Sequence, residues 1–132
     1  MNSASNYIIN VVNLVVQFGT TKIHDCLNLQ VHYGEILSVV GASGTGKSVL
    51  LQTVIGLIQP SDGVIELYGQ KTSALPHKTV LEIRRRCGVL FQDGALFGSL
   101  TVNENIQVPM REHFKLPQRF LEELSAYKLA MV

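Results

Sequence analysis

Three glycines lie close together at positions 41, 44 and 46, between two segments of different periodicity. Residues 35–40 (EILSVV) form an apolar run that stops at Gly41, which is typical of a buried central strand. From Ser48 onward, apolar residues recur at helical spacing as far as Ile58. The sequence therefore predicts a strand over 35–40, a tight glycine turn, and a helix over 48–58.

The turn matches the pattern G-x-x-x-x-G-K-[ST] and has the flanking strand and helix that this pattern requires. Glycines let consecutive backbone N–H groups turn inward around phosphate oxygens, and a helix N-terminus adds donors and a positive dipole end. Lys47 is expected to reach the β- and γ-phosphates, and the Ser48 hydroxyl to ligate Mg²⁺. The alternative is a turn that only links a strand to a helix. The predicted phosphate-binding residues are Gly41, Ala42, Ser43, Gly44, Thr45, Gly46, Lys47, Ser48 and Val49, of which Val49 has no hydroxyl.

Three other segments alternate or cluster β-branched and apolar residues between turn signals. Residues 11–18 and 27–32 predict short strands, and residues 64–68 follow the strong turn signal PSDG. We expect these strands to form a small antiparallel sheet. Residues 88–91 (GVLF) predict a second buried strand, in the same parallel sheet as the 35–40 strand.

Helical patterns dominate the remainder of the chain. Residues 78–86 predict a polar helix, and Thr101 with Glu104 three residues later predicts a capped helix over 101–108. A last helix is predicted from Pro117, with Phe120, Leu121, Leu124 and Tyr127 on one face. It reaches Val132 without a Gly, Asn or Pro to end it, so we interpret the chain as cut rather than finished.

The overall composition excludes several classes of protein. A net charge of +1 argues against a nucleic-acid binder with a broad basic face. Apolar runs shorter than roughly 20 residues, and an N-terminus without an export signal, place the chain in the cytoplasm. At residues 84–86 we expect a solvated helix end rather than an anion site. Cys26 and Cys87 lie far apart and outside any CxxC pair, so we expect buried or incidental thiols rather than a disulfide or metal site. We expect surface or packing roles for the histidines, which lack metal-ligand spacing: His24, His32, His77 and His113.

A family resemblance covers essentially the whole chain. Phe18-Gly19, the stretch LNLQVHYGEILSVVGASGTGKSVLLQTVIGLIQPSDGVIELYGQ, and VLFQDGALFGSLTVNENI resemble the first half of an ATP-binding cassette (ABC) domain. More narrowly, GALFGSLTVNENIQVPMREHFKLP resembles the ATPase of the Mla-type phospholipid-trafficking transporters, also described as organic-solvent or toluene tolerance systems. The implied fold is an α/β P-loop NTPase core with an N-terminal antiparallel β subdomain, ending before the signature motif and the Walker B strand.

The resemblance also implies a division of the chain within one nucleotide-binding domain. The antiparallel β portion would occupy about 6–34 and 62–70, and the P-loop strand and helix would occupy 35–59. The Q-loop region would cover 87–108, and the helical subdomain would start at 109–132.

Two site residues follow only from the resemblance. Phe18 would stack on adenine, where Tyr is commoner in the family; the alternative is a core Phe at a strand end. Gln92 would be the Q-loop glutamine, which contacts Mg²⁺ and the attacking water; the alternative is a polar strand cap. With Lys47, Gln92 would therefore take part in ATP hydrolysis.

The resemblance implies protein partners as well. Residues 93–108 would contact a transmembrane permease, with Ala95, Leu96, Phe97 and Leu100 as an apolar contact surface, although ordinary loop packing is the alternative. Asn103 stands where an aromatic residue is frequent. Two nucleotide-binding subunits would enclose two ATP molecules, and the permease would hold them at the cytoplasmic face of the inner membrane.

Other parts of the ABC machinery do not occur in the sequence. The chain has three Asp residues, none of which directly follows a four-residue apolar run. Its last glycine is Gly98, so a glycine-rich signature cannot follow the Q-loop. We therefore expect the intact subunit to be an ATPase and this chain alone to hydrolyse ATP negligibly. The alternatives are a soluble ABC-type ATPase acting on nucleic acid and a short protein that binds the nucleotide without hydrolysing it.

Overall fold

The computed structural model describes residues 6–92 and 94–132. They form two compact units, one ending at Gly88 and the other beginning at Val89. Residues 1–5, which the export expectation includes, and Asp93, the first residue of the expected permease-contact segment, lie outside the described residues.

The first unit contains the predicted antiparallel sheet. Its long strands are β1 (Tyr7–Phe18) and β2 (Thr21–His32), followed by β3 (Asp62–Leu67) and the short β4 (Gln70–Lys71). The strand order is β2-β1-β3-β4, and each neighbouring pair is antiparallel. Gly19, at a φ of 58°, turns the chain between β1 and β2. The expectation of an antiparallel β portion is confirmed.

A bulge in β1 decides which side chains enter the core. Asn13 has a φ of 48°, and the pairing of β1 shifts register between Val11 and Leu14. The extra residue turns Val11 and Leu14 to the same face, although they are three positions apart. Gly63 of β3, at a φ of 95°, crosses this bulge so closely that a Cβ would lie 2.5 Å from the Asn13 carbonyl oxygen.

One face of the sheet packs against two helices, α1 (Lys47–Val54) and α2 (His77–Arg84). The shared core consists of Val11, Leu14, Val16, Leu50, Val54, Ile65, Leu67 and Ile83. Leu50 and Val54 lie four residues apart on α1, so one side of this helix faces the sheet. This packing places the first residues of α1 beside the glycine turn.

Helix α1 is shorter than the predicted 48–58. Gly56 has a φ of 77°, Gly56 N–H donates to the Thr53 carbonyl oxygen, and Leu57 N–H donates to the Gln52 carbonyl oxygen. These two bonds are those of a Schellman motif, in which a left-handed glycine ends the helix. The apolar spacing continued to Ile58, but glycine chemistry ended the helix four residues earlier.

The arginines at the end of α2 are not simply solvated, contrary to the expectation. Arg84 is half-buried, and its guanidinium lies where a Cβ of Gly56 would be. Arg86 stacks over the Tyr68 ring at 4.0 Å. Burial, together with the neighbouring Cys87 thiol, raises the pKa of Tyr68. Of these three arginines, Arg85 is exposed, and the structure describes no side-chain contact for it.

Neither of the two predicted parallel strands forms. Residues 35–40 and 88–91 have no strand conformation, and no ladder pairs them with another segment among the described residues. Most of their apolar side chains are exposed, to 95% for Ile36 and 89% for Leu90, and Phe91 is half-buried. An apolar run becomes a buried strand only where neighbours satisfy its N–H and C=O groups and cover its side chains. The described part of the chain supplies no such neighbours.

The second unit contains two helices, α3 (Val102–His113) and α4 (Gln118–Leu129). Thr101 caps α3 in the predicted capping box: Glu104 N–H donates to Thr101 Oγ1 at 3.2 Å, and Thr101 N–H donates to Glu104 Oε2 at 2.8 Å. Helix α3 runs beyond the predicted 101–108, through Pro109. Pro117 is the N-cap of α4 rather than its first helical residue. Gln107 and Leu121 are buried in this unit.

We expect Gly63→Ala to destabilise the first unit by roughly 1–3 kcal/mol, because the new Cβ would meet backbone and would require a strained φ. Chemical denaturation followed by circular dichroism measures the change. Gly88→Ala is the matched control, since a Cβ there meets nothing within 4 Å. Equal stability of the two variants would contradict the close backbone crossing.

We also expect the first turn of α3 to lose stability in acid. The Thr101 backbone N–H, and then the Thr101 hydroxyl, lower the pKa of Glu104 below the usual 4.5. A lowered folded pKa means that the stabilisation is complete above the unfolded value and disappears as the pH falls through the folded value.

Hydrogen exchange by NMR measures this directly as the protection factor of the Glu104 amide. It should fall in Glu104→Gln relative to wild type at pH 7, and the difference should vanish in acid. Glu112→Gln removes the same charge far from the cap and serves as the control. A pH-independent difference would show that the cap does not depend on the ionised carboxylate.

Candidate functional site

The glycine turn and the start of α1 form the candidate site. Gly44 and Gly46 have φ angles of 82° and 91°, in the left-handed region that side chains disfavour. A Cβ at Gly41 would lie 3.0 Å from Thr45 Oγ1, and that hydroxyl donates to the Ala42 carbonyl oxygen at 2.9 Å. The φ angles therefore favour glycine at positions 44 and 46, and at Gly41 the backbone lies close to the Thr45 side chain.

Lys47 lies across this loop. Its Nζ donates to the carbonyl oxygens of Gly41 and Ala42, at 2.8 Å and 2.6 Å. Lys47 and the preceding Gly46 are half-buried, whereas residues 41–45 of the loop are exposed. The ammonium group is thus held beside the loop backbone, where an anion bound by the loop would meet it.

The N-terminus of α1 opens directly onto the loop. The first helical hydrogen bond runs from Leu50 N–H to the Gly46 carbonyl oxygen at 2.8 Å. The N–H groups of Lys47, Ser48 and Val49 precede that bond, so they are the donors that a helix start directs outward. Ser48 is also exposed. These donors, one ammonium and one hydroxyl fit a polyphosphate with a divalent cation.

His24 is a part of this site that sequence reasoning missed. It lies on β2, is 9% exposed, and places Nε2 3.1 Å from the Gly46 carbonyl oxygen. The expected packing role is correct, but the contact with the loop was not predicted. Because the sheet twists and bulges, strand alternation alone does not show that His24 faces the helix start.

Phe18 ends β1 and is 51% exposed. The alternative of a core phenylalanine is therefore wrong, and the ring has an open face. Whether this face binds a base stays a prediction.

A largely apolar cavity of about 530 Å³ lies between the sheet and α1. Its lining includes Lys47 and Ser48 together with apolar residues on both sides of them in the sequence, among them Ile9, Leu29, Val31, Leu37 and Val39. An apolar lining offers little to phosphates. The donors of the loop, rather than the cavity, make the candidate anion site.

The remaining predicted site residues belong to the second unit. Gln92 is exposed, and the Gly94 N–H nearby donates to the Phe91 carbonyl oxygen at 3.1 Å. Leu96 and Phe97 are 71% and 57% exposed. Within the part of the chain that the structure describes, neither side chain is therefore packed into a core. Ala95 is exposed as well, and Leu100 is half-buried.

Asn105 organises this apolar segment, and sequence reasoning missed it. Its Oδ1 accepts from Phe97 N–H at 2.8 Å, and its Nδ2 donates to the carbonyl oxygens of Phe97, Leu100 and Thr101 at 3.2, 3.1 and 3.0 Å. One amide side chain therefore ties the segment before α3 to the helix itself. The neighbouring Asn103 is exposed and has no such described contact.

Two other kinds of site do not occur among residues 6–92 and 94–132. No group of three His, Cys, Asp or Glu side chains is close enough to hold a metal ion. No helix within these ranges has the length and apolar character needed to cross a bilayer.

A family profile and two similar relatives indicate the same protein family. The ABC transporter family profile matches residues 24–131. The chain is 39% identical over 125 residues to the "Intermembrane phospholipid transport system ATP-binding protein MlaF" of Haemophilus influenzae, covering 95% of this chain and 47% of that protein. It is 41% identical over 124 residues to the "Probable ribonucleotide transport ATP-binding protein mkl" of Mycobacterium bovis, covering 94% and 34%.

The fold is similar to that of a solved ATP-binding cassette. The dimeric, post-hydrolysis structure of MJ0796 bound to ADP and Pi matches with a TM-score of 0.80 at 26% identity, over 93% of this chain and 56% of that one. The chain thus spans about half the length of the MlaF relative and of MJ0796. The phosphate-loop context, the antiparallel sheet beside it and these matches agree: the chain belongs to the ABC transporter family.

Proposed function

We propose that the chain is the nucleotide-binding part of the ATPase subunit of an ABC transporter, in which ATP binding and hydrolysis drive movement of a phospholipid across or between membranes. One observation carries the proposal. The Lys47 ammonium and the first amides of α1 converge on a loop in which Gly44 and Gly46 adopt left-handed conformations. This arrangement can bind a polyanion through backbone donors and a single cation.

The individual residues have separate roles in this proposal. The loop from Gly41 to Gly46 and the amides of Lys47, Ser48 and Val49 bind the phosphates, and Lys47 neutralises their charge. Ser48 would hold Mg²⁺, which would supply positive charge against the negative charge that develops on the phosphates during transfer. The exposed face of Phe18 stacks on adenine.

Gln92 completes the proposed chemistry. It would contact Mg²⁺ and the attacking water as the glutamine of the Q-loop. Its exposure and its place after residues 88–91 support this role.

The relatives differ in the cargo for which they are named. The MlaF relative is named for phospholipid transport, whereas the mkl relative of similar identity is named for ribonucleotide transport. The segment that resembles the Mla type, residues 94–117, favours phospholipid. A nucleic-acid substrate is disfavoured by the net charge of +1.

We also propose two partners. The exposed Leu96 and Phe97 would contact a transmembrane permease, within a contact region of residues 93–108. The dimeric state of MJ0796 supports a homodimer of nucleotide-binding subunits. Such an assembly would hold the protein at the cytoplasmic face of the inner membrane.

We expect Lys47→Ala to weaken binding of MgATP and MgADP about ten- to a hundredfold, because a charge-assisted contact contributes about 1.5–3 kcal/mol. Isothermal titration calorimetry measures both affinities. Lys71→Ala removes an exposed lysine of β4 and is the control. If the wild-type protein produced no heat with either nucleotide, the proposed function would be wrong.

We further expect a multispanning permease to co-purify with the tagged protein from membranes of its native host. The double substitution Leu96→Ser, Phe97→Ser should abolish this capture, since it removes the exposed apolar contact. The double substitution Phe120→Ser, Tyr127→Ser changes two exposed aromatics of α4 and should leave capture intact. Absence of any permease with the wild type would contradict the transporter assignment.

A further inference from the structure

A buried histidine contacts the carbonyl group at the start of α1. His24 reaches this carbonyl, that of Gly46, from strand β2, with Nε2 3.1 Å from the oxygen. Its ring also contacts the glycine itself, because a Cβ at Gly46 would lie 3.0 Å from His24 Cε1. The contact joins the antiparallel sheet to the candidate phosphate loop at one atom.

The chemistry of the pair determines where the proton is. A carbonyl oxygen only accepts hydrogen bonds, so His24 Nε2 must carry the hydrogen and donate it. The same oxygen accepts from Leu50 N–H at 2.8 Å. Both lone pairs of the Gly46 carbonyl oxygen are thus engaged, one by the helix and one by the sheet.

This bond orients the next backbone amide. The Gly46 carbonyl and the Lys47 N–H belong to one planar trans peptide, so they point in opposite directions. Holding the oxygen toward His24 and Leu50 therefore directs the Lys47 N–H away from them, toward the loop. The helix bond from Leu50 N–H and the bond from His24 together hold this peptide, and the absence of a Cβ at Gly46 means that the residue itself restricts the peptide little.

We infer that His24 is a positioning residue for polyphosphate binding, which acts by fixing the Gly46–Lys47 peptide so that the Lys47 amide faces a bound phosphate. The inference rests on the proposed nucleotide-binding function. Because His24 acts on the loop backbone, it should affect the phosphate part of a ligand and not the base.

The test compares a ligand that has phosphates with one that lacks them. His24→Leu keeps an apolar side chain of similar size but removes the donor, and His24→Gln retains an amide N–H that can reach the place of Nε2. His24→Asn retains an amide that is too short to reach it. His32→Leu, an exposed histidine on the same strand, is the control. Calorimetry measures affinity for MgADP and for adenosine, and thermal unfolding without ligand measures stability.

We expect His24→Leu and His24→Asn to weaken MgADP about five- to tenfold, the effect of one hydrogen bond, with adenosine affinity unchanged. His24→Gln should restore MgADP affinity to within about twofold of wild type. If His24→Leu does not fold, the comparison of MgADP affinity between His24→Gln and His24→Asn tests the inference.

Two results would overturn the inference. Wild-type MgADP affinity in both Leu and Asn variants would show that the bond does not position the loop. An equal loss of MgADP and adenosine affinity would show a general structural defect. Failure of the wild type to bind MgADP is a different outcome, because it refutes the proposed function itself and the inference with it.

Discussion

The packing of α1 on the antiparallel sheet is the interaction on which the rest of the first unit depends. Leu50 and Val54 join a core with Val11, Leu14 and Val16. That face of the sheet exists because the bulge at Asn13 turns β1 by one residue, and Gly63 allows β3 to pass beside it. The apolar contact thus determines where the helix begins, and the helix start determines where its amides point.

Three local features then convert the helix start into a site. Left-handed glycines close the loop, Lys47 lies against its carbonyl oxygens, and His24 holds the last carbonyl before the helix. A helix N-terminus alone is a weak anion site, but donors held in a fixed geometry lose less entropy on binding. The antiparallel sheet is therefore more than a platform beside the loop, since β2 contributes a direct contact to it.

In the second unit, apolar side chains are exposed on a segment that hydrogen bonds keep ordered. Asn105 satisfies backbone groups on both sides of this segment, and the capping box at Thr101 fixes the start of α3. Hydrogen bonds from side chains thus replace the packing that would normally order such a loop. The exposed Leu96 and Phe97 remain available to a partner without a loss of local structure.

The local features of the protein were determined by the sequence alone. The glycine loop, the start of α1, the antiparallel strands and the Thr101 cap were all predicted, because each depends on residues a few positions apart or on simple alternation. The tertiary structure alone decided that residues 35–40 and 88–91 lie exposed without pairing. It also decided that Arg84 lies against Gly56 and that His24 contacts Gly46. These outcomes depend on which distant segment comes close, and no local pattern contains that information.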